Sequence, residues 1–166
     1  DCLLSRGLGD VYKRQLLQAL IDGWEERTTG PLVAATQEYA DSQAESMLNV
    51  LACFLGDAFD SRLEFAVRSW ALQDQEVARR VAAADETRLE ALRRMLARWG
   101  HAAVDADVRA RTIYLTQIGY ISMRAQENME TRIARIPTYV GIYTGEDPEP
   151  REMARFAARL RANPPT

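Results

Sequence analysis

Apolar residues recur at helical spacing along nearly the whole chain from Leu16 onward. Leu16, Leu17, Leu20, Ile21 and Trp24 cluster on one helical face. Gly30-Pro31 is expected to break or kink that helix, because proline removes a backbone donor, with Leu32 to Tyr39 as its continuation. Ser42 and Glu45 have the S-x-x-E spacing of a capping box. That places a second helix over Met47, Leu48, Leu51, Phe54 and Leu55, ended by Gly56. Ser61 and Glu64 repeat the spacing ahead of Leu63, Ala66, Val67, Trp70 and Ala71. Asp74 is placed to cap a fourth helix over about residues 75–99, buried along Val77, Val81, Ala84, Leu92, Met95, Leu96 and Trp99 and stopped by Gly100.

The next segment, about residues 104–126, has a different pattern. Ile113, Tyr114, Leu115, Ile118, Tyr120, Ile121 and Met123 cover almost its whole circumference, which predicts burial on several sides. One face would pack within the subunit and another against a second subunit, with Gly119 allowing close helix approach. Pro137 is expected to open a short helix or turn, and Asp147-Pro148 to serve as an N-cap and N1 pair. The last helix, about 149–161, carries Met153, Phe156, Ala157 and Leu160 at amphipathic spacing. No strand-length alternation and no 20–50-residue repeat occurs, so the expected class is all-α.

Residues 1–15 stand apart. They show no sustained period, do not begin with Met, and contain Lys13, the only lysine in the sequence. The string LLSRGLGDVYKRQ resembles translated sequencing-adapter sequence. The segment is therefore set aside as a non-native leader, with one domain over 16–166 and the chain as a fragment.

Composition narrows the function classes. Hydrophobic residues make up 47% of the 166, and the net charge is -3. A packed domain is expected, without a global basic field for nucleic acid. Arg6, Lys13 and Arg14 against Asp1 and Asp10 give the leader +1, which leaves -4 on the body. Two cysteines make no disulfide framework, so a cytoplasmic setting is expected. No charge-free stretch reaches membrane-spanning length.

Enzyme readings find little support. His101 is the only histidine and follows a helix-ending glycine, as a solvated loop residue does. The chain has no paired Glu-x-x-His, Cys-x-x-Cys, Gly-rich phosphate loop or G-x-S-x-G elbow. The expectation is no catalytic residues, no metal and no cofactor. Glu25-Glu26, Asp85-Glu86 and Glu146-Asp147-Glu149 read as solvated faces and caps. Phe54, Trp70, Trp99, Tyr114 and Tyr120 either line an apolar pocket, with Gln117 and tyrosine hydroxyls orienting a ligand, or simply pack the core.

The block LEFAVRSWALQDQEVARRVAAADETRLEALRRMLARWG resembles the regulatory domain of TetR-family transcriptional repressors. Ala66 to Val81 matches an A-[IV]-R-x-W-A-x-x-D-x-x-V-A-x-x-V core. Asp85 to Leu92 matches a D-x-x-R-L-x-x-L segment, and Gly100 ends the helix. LLQALIDGWEER is similar to the helix that leaves the DNA-binding head, and RARTIYLTQIGY and RIPTYVGIYTG are also similar to family segments. The resemblance spans roughly Leu16 to Leu160.

It implies a dimeric, one-component switch. A helix-turn-helix reads a palindromic operator, and a small hydrophobic effector between C-terminal helices shifts the balance of two conformers. Met47, Phe54, Trp70, Tyr114, Gln117, Ile118 and Ile121 are the implied ligand-binding residues. Ile113, Tyr120, Met153, Phe156 and Leu160 are the implied homodimer interface, and Arg68 and Asp74 have structural roles. The head is expected about 45 residues ahead of Leu16, where the leader stands. Operator binding is therefore expected only of a full-length parent. The rival expectations are a helical interaction module that dimerises or docks a protein partner without an effector, and, behind it, an enzyme or metal carrier of helical-bundle type.

Overall fold

The computed structural model describes residues 2–164, with side chains from residue 11. It is all-helical: α1 (Cys2–Ala35), α2 (Gln43–Leu55), α3 (Ser61–Ala71), α4 (Gln75–Arg98), α5 (Ala103–Ser122), α6 (Met129–Thr144) and α7 (Pro150–Ala162). No described helix is long and apolar enough to cross a membrane.

Several predicted boundaries hold for the reasons expected. The Ser42 hydroxyl accepts the Glu45 backbone N–H at 3.0 Å and starts α2. Asp74 accepts from the backbone N–H groups of Glu76 and Val77 and starts α4. Gly100 takes the left-handed φ of +93° just past that helix.

Other expectations are corrected. The N-cap of α3 is Asp60, whose carboxylate accepts from Leu63 N–H at 2.9 Å, so Ser61 is the first helical residue and Glu64 is free for another role. Pro137 lies inside α6, which starts instead at the N-cap Asn128. α7 starts at Glu149-Pro150, one X-Pro pair after Asp147-Pro148.

Pro31 does not end α1 either; the helix runs on to Ala35. Proline has no N–H, so the carbonyl four residues back, on Arg27, loses its helical partner. That carbonyl instead accepts from Asp60 N–H at 3.3 Å. The proline thus frees an acceptor that ties the start of α3 to α1.

The pattern of residues 1–15 also resolves. α1 includes them from Cys2, but Val11, Tyr12, Leu16 and Leu20 are all more than half exposed. Where side chains are described, from residue 11 to residue 15, this stretch of helix is exposed on all sides.

The helix buried on all sides is α2, not α5. Nearly every α2 residue from Ala44 to Leu55 is enclosed, chiefly by α1, α6 and α7, in a cluster that also takes in residues of α4 and α5. On α5, Val104, Val108 and Leu115 remain exposed, as do Met123 just past its end and Ile142 on α6. A Cβ added at Gly119 would meet nothing within 4 Å. His101 is not a solvated loop residue: its Nδ1 lies 2.6 Å from Asp105 and its Nε2 2.6 Å from Gln43, joining the start of α5 to α2.

The apolar interior has two parts. The larger surrounds α2 and includes Leu32, Leu92, Met95, Ile113 and Phe156. The smaller joins α3 and the N-terminal half of α4 to α1 through Ile21, Trp24, Val67, Val77, Val81 and Ala84. On α4 the smaller part ends at Ala84 and the larger begins at Leu89. Between them lies Arg88, fully buried.

Candidate functional site: a basic aromatic cleft beside a buried ion network

Arg88 sits in the apolar stripe of α4, where an unpaired charge would cost several kcal/mol. All five of its N–H donors are engaged. Nε donates to Thr29 at 2.9 Å. Nη1 donates to Glu64 and to the Tyr114 hydroxyl, each at 2.8 Å. Nη2 donates to Thr28 at 2.7 Å and to Glu64 at 3.1 Å. Glu64 is equally well satisfied, accepting also from Trp24 Nε1 and Arg68 Nε, each at 2.7 Å. Arg68 reaches on to Asp85 and Tyr114, and the Tyr114 hydroxyl donates to Asp85 at 2.6 Å. Two arginines face two carboxylates, so the layer is neutral as a whole. Burial opposes the Arg88 charge, but Glu64 and Tyr114 together hold its pKa above the ordinary guanidinium value. The network joins α1, α3, α4 and α5.

Beside it lies a solvent-open cleft of about 780 Å³, within the usual size of a small-molecule site. Phe54 of α2, Ser61, Arg62 and Phe65 of α3, Gln117, Tyr120 and Ile121 of α5, residues 124–127 and Arg132 of α6 line it. The Arg132 guanidinium stands 4.4 Å from the Tyr120 ring centroid, and Arg124 stands 5.5 Å from Phe65. Burial holds the Arg132 pKa below the ordinary guanidinium value; it stays a cation at neutral pH. Tyr120 and Tyr139 share a hydroxyl hydrogen bond of 3.0 Å at the base of this wall. Near Gln117 and Thr116, the Tyr143 hydroxyl is buried and pushed up in pKa by that burial. It is the one such side-chain atom without a hydrogen-bond partner among the described residues.

The loop that closes the cleft begins with a Schellman turn. Arg124 N–H donates to Ile121 O at 3.1 Å and Ala125 N–H to Tyr120 O at 3.0 Å. The residue in the left-handed position is Arg124, with φ +50°, where glycine is the usual choice.

Comparison with protein-family models, with curated proteins and with solved structures finds no match to this chain. Its function must be argued from the site.

Of the ligand-binding residues implied by the resemblance, Phe54, Gln117 and Ile121 line the cleft. Met47 and Ile118 are buried in the larger core, and Trp70 is half-buried against the smaller one. Tyr114 is near the cleft, but its hydroxyl belongs to the network. The residues implied for a subunit interface turn inward: Ile113, Phe156 and Leu160 are buried in the chain's own core, and Met153 packs against it. Tyr120 belongs to the cleft. Their apolar surface is already covered within one chain, so the amphipathic spacing of α7 reflects its docking on α2.

Sequence reasoning missed Arg62, Phe65, Arg124 and Arg132 in the cleft, and Glu64 and Arg88 in the network. A signal existed for two of them. Arg88 falls in step with Val77, Val81, Ala84, Leu92 and Met95, and Arg132 with Met129, Ile136, Tyr139 and Tyr143. An arginine inside an apolar stripe is either paired or facing a cavity. No group of three or more metal-ligating side chains occurs among the described residues.

Proposed function

We propose that the chain is the effector-binding and dimerisation domain of a TetR-type transcriptional regulator. The observation that supports this best is the connection of the cleft to α1. Ser61, Arg62 and Phe65 line the cleft from α3. The same helix is bonded to α1 through Glu64–Trp24, Glu64–Arg88–Thr28 and Asp60–Arg27. An effector that moves α3 therefore moves α1, which in this reading is the connector to an operator-binding head of the parent protein. Coupling of this kind needs two arrangements with different effector affinity. A layer in which every charge is satisfied favours discrete arrangements over gradual deformation, because half-broken states leave buried charges unpaired.

A second copy would sit on the exposed face of α5 and α6, where Val104, Val108, Leu115 and Ile142 remain uncovered and Gly119 leaves room for close approach. This differs from the face drawn from the resemblance, where Ile113, Phe156 and Leu160 are buried inside the chain and Tyr120 lines the cleft.

The test combines light scattering with hydrogen exchange. Under this reading the chain is a dimer, and a ligand seated in the cleft slows exchange in α1 around Trp24–Thr29 as well as in α3. A monomer whose α1 exchange ignores cleft ligands refutes it. The exposed face alone would equally serve an interaction module without an effector. That alternative predicts a dimer or a partner complex with no response to any cleft ligand.

A further inference from the structure

We infer that the cleft selects an amphipathic organic carboxylate with an aromatic body, its anionic end held by Arg132 and its rings by Phe65 and Tyr120; this rests on the effector-pocket reading. The argument starts from charge. The chain is net negative, and most arginines along its helices are answered by carboxylates, as Arg80 is by Asp22 and Glu25 and Arg93 by Glu86, Glu90 and Asp107, while Arg98 is bonded to the Thr36 carbonyl and Arg27 and Arg161 stand exposed in solvent. Arg62, Arg124 and Arg132 meet at one cleft, and none forms a salt bridge among the described residues. The single carboxylate in the cleft, Glu127, is ion-paired with Arg135 and favours the Arg132 charge only through space, forming no salt bridge with it.

Arg132 is the strongest of the three. It is half-buried on the apolar stripe of α6 and rests on the Tyr120 ring. Desolvating a cation without an anion destabilises the free protein. A planar guanidinium flanked by aromatic faces suits a carboxylate, which it can bind through two parallel hydrogen bonds. Arg124 is a second, independent sign. It keeps an arginine in a left-handed turn position where glycine would be less strained, and its guanidinium points over Phe65 at the cleft. Two cations are thus held at the cleft against the local interest of the fold. By contrast, the other large depression, between α1 and α4, is walled by Glu86, Glu90, Arg94 and Arg98; the first three are ion-paired and Arg98 donates to the Thr36 carbonyl, with carboxylates lining the same wall. It offers no such preference.

The test is isothermal titration of the full chain with 2-naphthoate, 2-naphthylmethanol and 2-naphthylmethylammonium, which share one aromatic body and differ in charge. The carboxylate is expected to bind about tenfold or more tightly than the alcohol, as a charge-assisted hydrogen bond in a half-buried site implies. The ammonium should bind least. Arg132→Met should abolish the preference while raising the melting temperature of the unliganded protein. Arg161→Met, at an exposed position on α7, should change neither. Equal or tighter binding of the alcohol or the ammonium overturns the inference and leaves the effector reading standing. Failure of all three to bind at millimolar concentration overturns both. A lower melting temperature in Arg132→Met with the preference intact would make Arg132 a structural residue and also overturn the inference.

Discussion

Removing the charge of Glu64 should be among the most damaging single changes in this chain. Glu64 and Arg88 are both fully buried and bonded through both carboxylate oxygens. In Glu64→Gln the shape survives, but the amide presents an N–H to a guanidinium that can only donate. Arg88 and Arg68 are then left with Asp85 as their only carboxylate. Breaking a buried pair from one side costs about 3–5 kcal/mol. For a domain of this size that lowers the melting temperature by about 10 °C. Arg88→Met should cost less, because Glu64 keeps Arg68 and the Trp24 indole as partners. The double variant Glu64→Gln/Arg88→Met removes both charges and still offers Trp24 an acceptor. Its loss should fall short of the sum of the singles by about 2 kcal/mol or more, the range for residues in one network. Urea denaturation followed by circular dichroism measures all four proteins. A Glu64→Gln cost below about 1 kcal/mol, or single costs that simply add, would refute the idea that these groups act as a unit.

Three further expectations follow from other parts of the chain. Gly119→Ala should stabilise the isolated subunit by up to about 1 kcal/mol, since its Cβ meets nothing, yet weaken a dimer that packs at this position; sedimentation at several concentrations reads the second effect. Cys53 is buried, and burial pushes its thiol up to about 12, so mass spectrometry should find it unmodified by iodoacetamide at pH 8 until denaturant is added. Arg93 and Arg111 hold the Asp107 carboxyl below its usual range. Its contribution to stability is present above the ordinary carboxylate pKa of about 4 and is lost as pH falls through that region. Melting temperature should therefore decline on acidification, and Asp107→Asn should decline less steeply; parallel profiles would count against the pairing.

Much of the architecture was legible in the sequence because it rests on local signals. Ser42, Asp74 and Gly100 mark helix ends through a hydroxyl, a carboxylate and a left-handed turn, and none of these depends on distant partners. The errors arose where two local solutions competed or where tertiary contacts overrode one. Asp60 and Ser61 are adjacent and both can cap; a capping-box pattern at Ser61 concealed that Glu64 is drawn inward by Arg88. Asp147-Pro148 and Glu149-Pro150 offer the same start twice. Pro31 and Pro137 lie within helices whose surrounding turns are held by packing. The apolar count around α5 suggested burial on all sides. Which helix the others enclose is a property of topology, however, and α2 takes that place. The cleft was half legible: aromatic and amide residues on α5 pointed to it, whereas Arg62, Arg124 and Arg132 lie on separate elements and meet only through the tertiary arrangement.

The proline in α1 has a mechanical consequence. A helix is stiff along its hydrogen-bond ladder, and the ladder is missing one rung where Pro31 faces the Arg27 carbonyl. The contacts of Thr28, Thr29 and Arg27 with α4 and α3 fall at this same place. α1 can therefore bend at this point, and because Ile21 and Trp24 upstream of it are packed on α3 and α4, a bend there strains those contacts as well. Each residue upstream lengthens the arm by about 1.5 Å, so a tilt of only ~5° at Pro31 carries Leu16 through about 2 Å. Whatever is attached to the far end of α1 would swing further in proportion to its distance from that point.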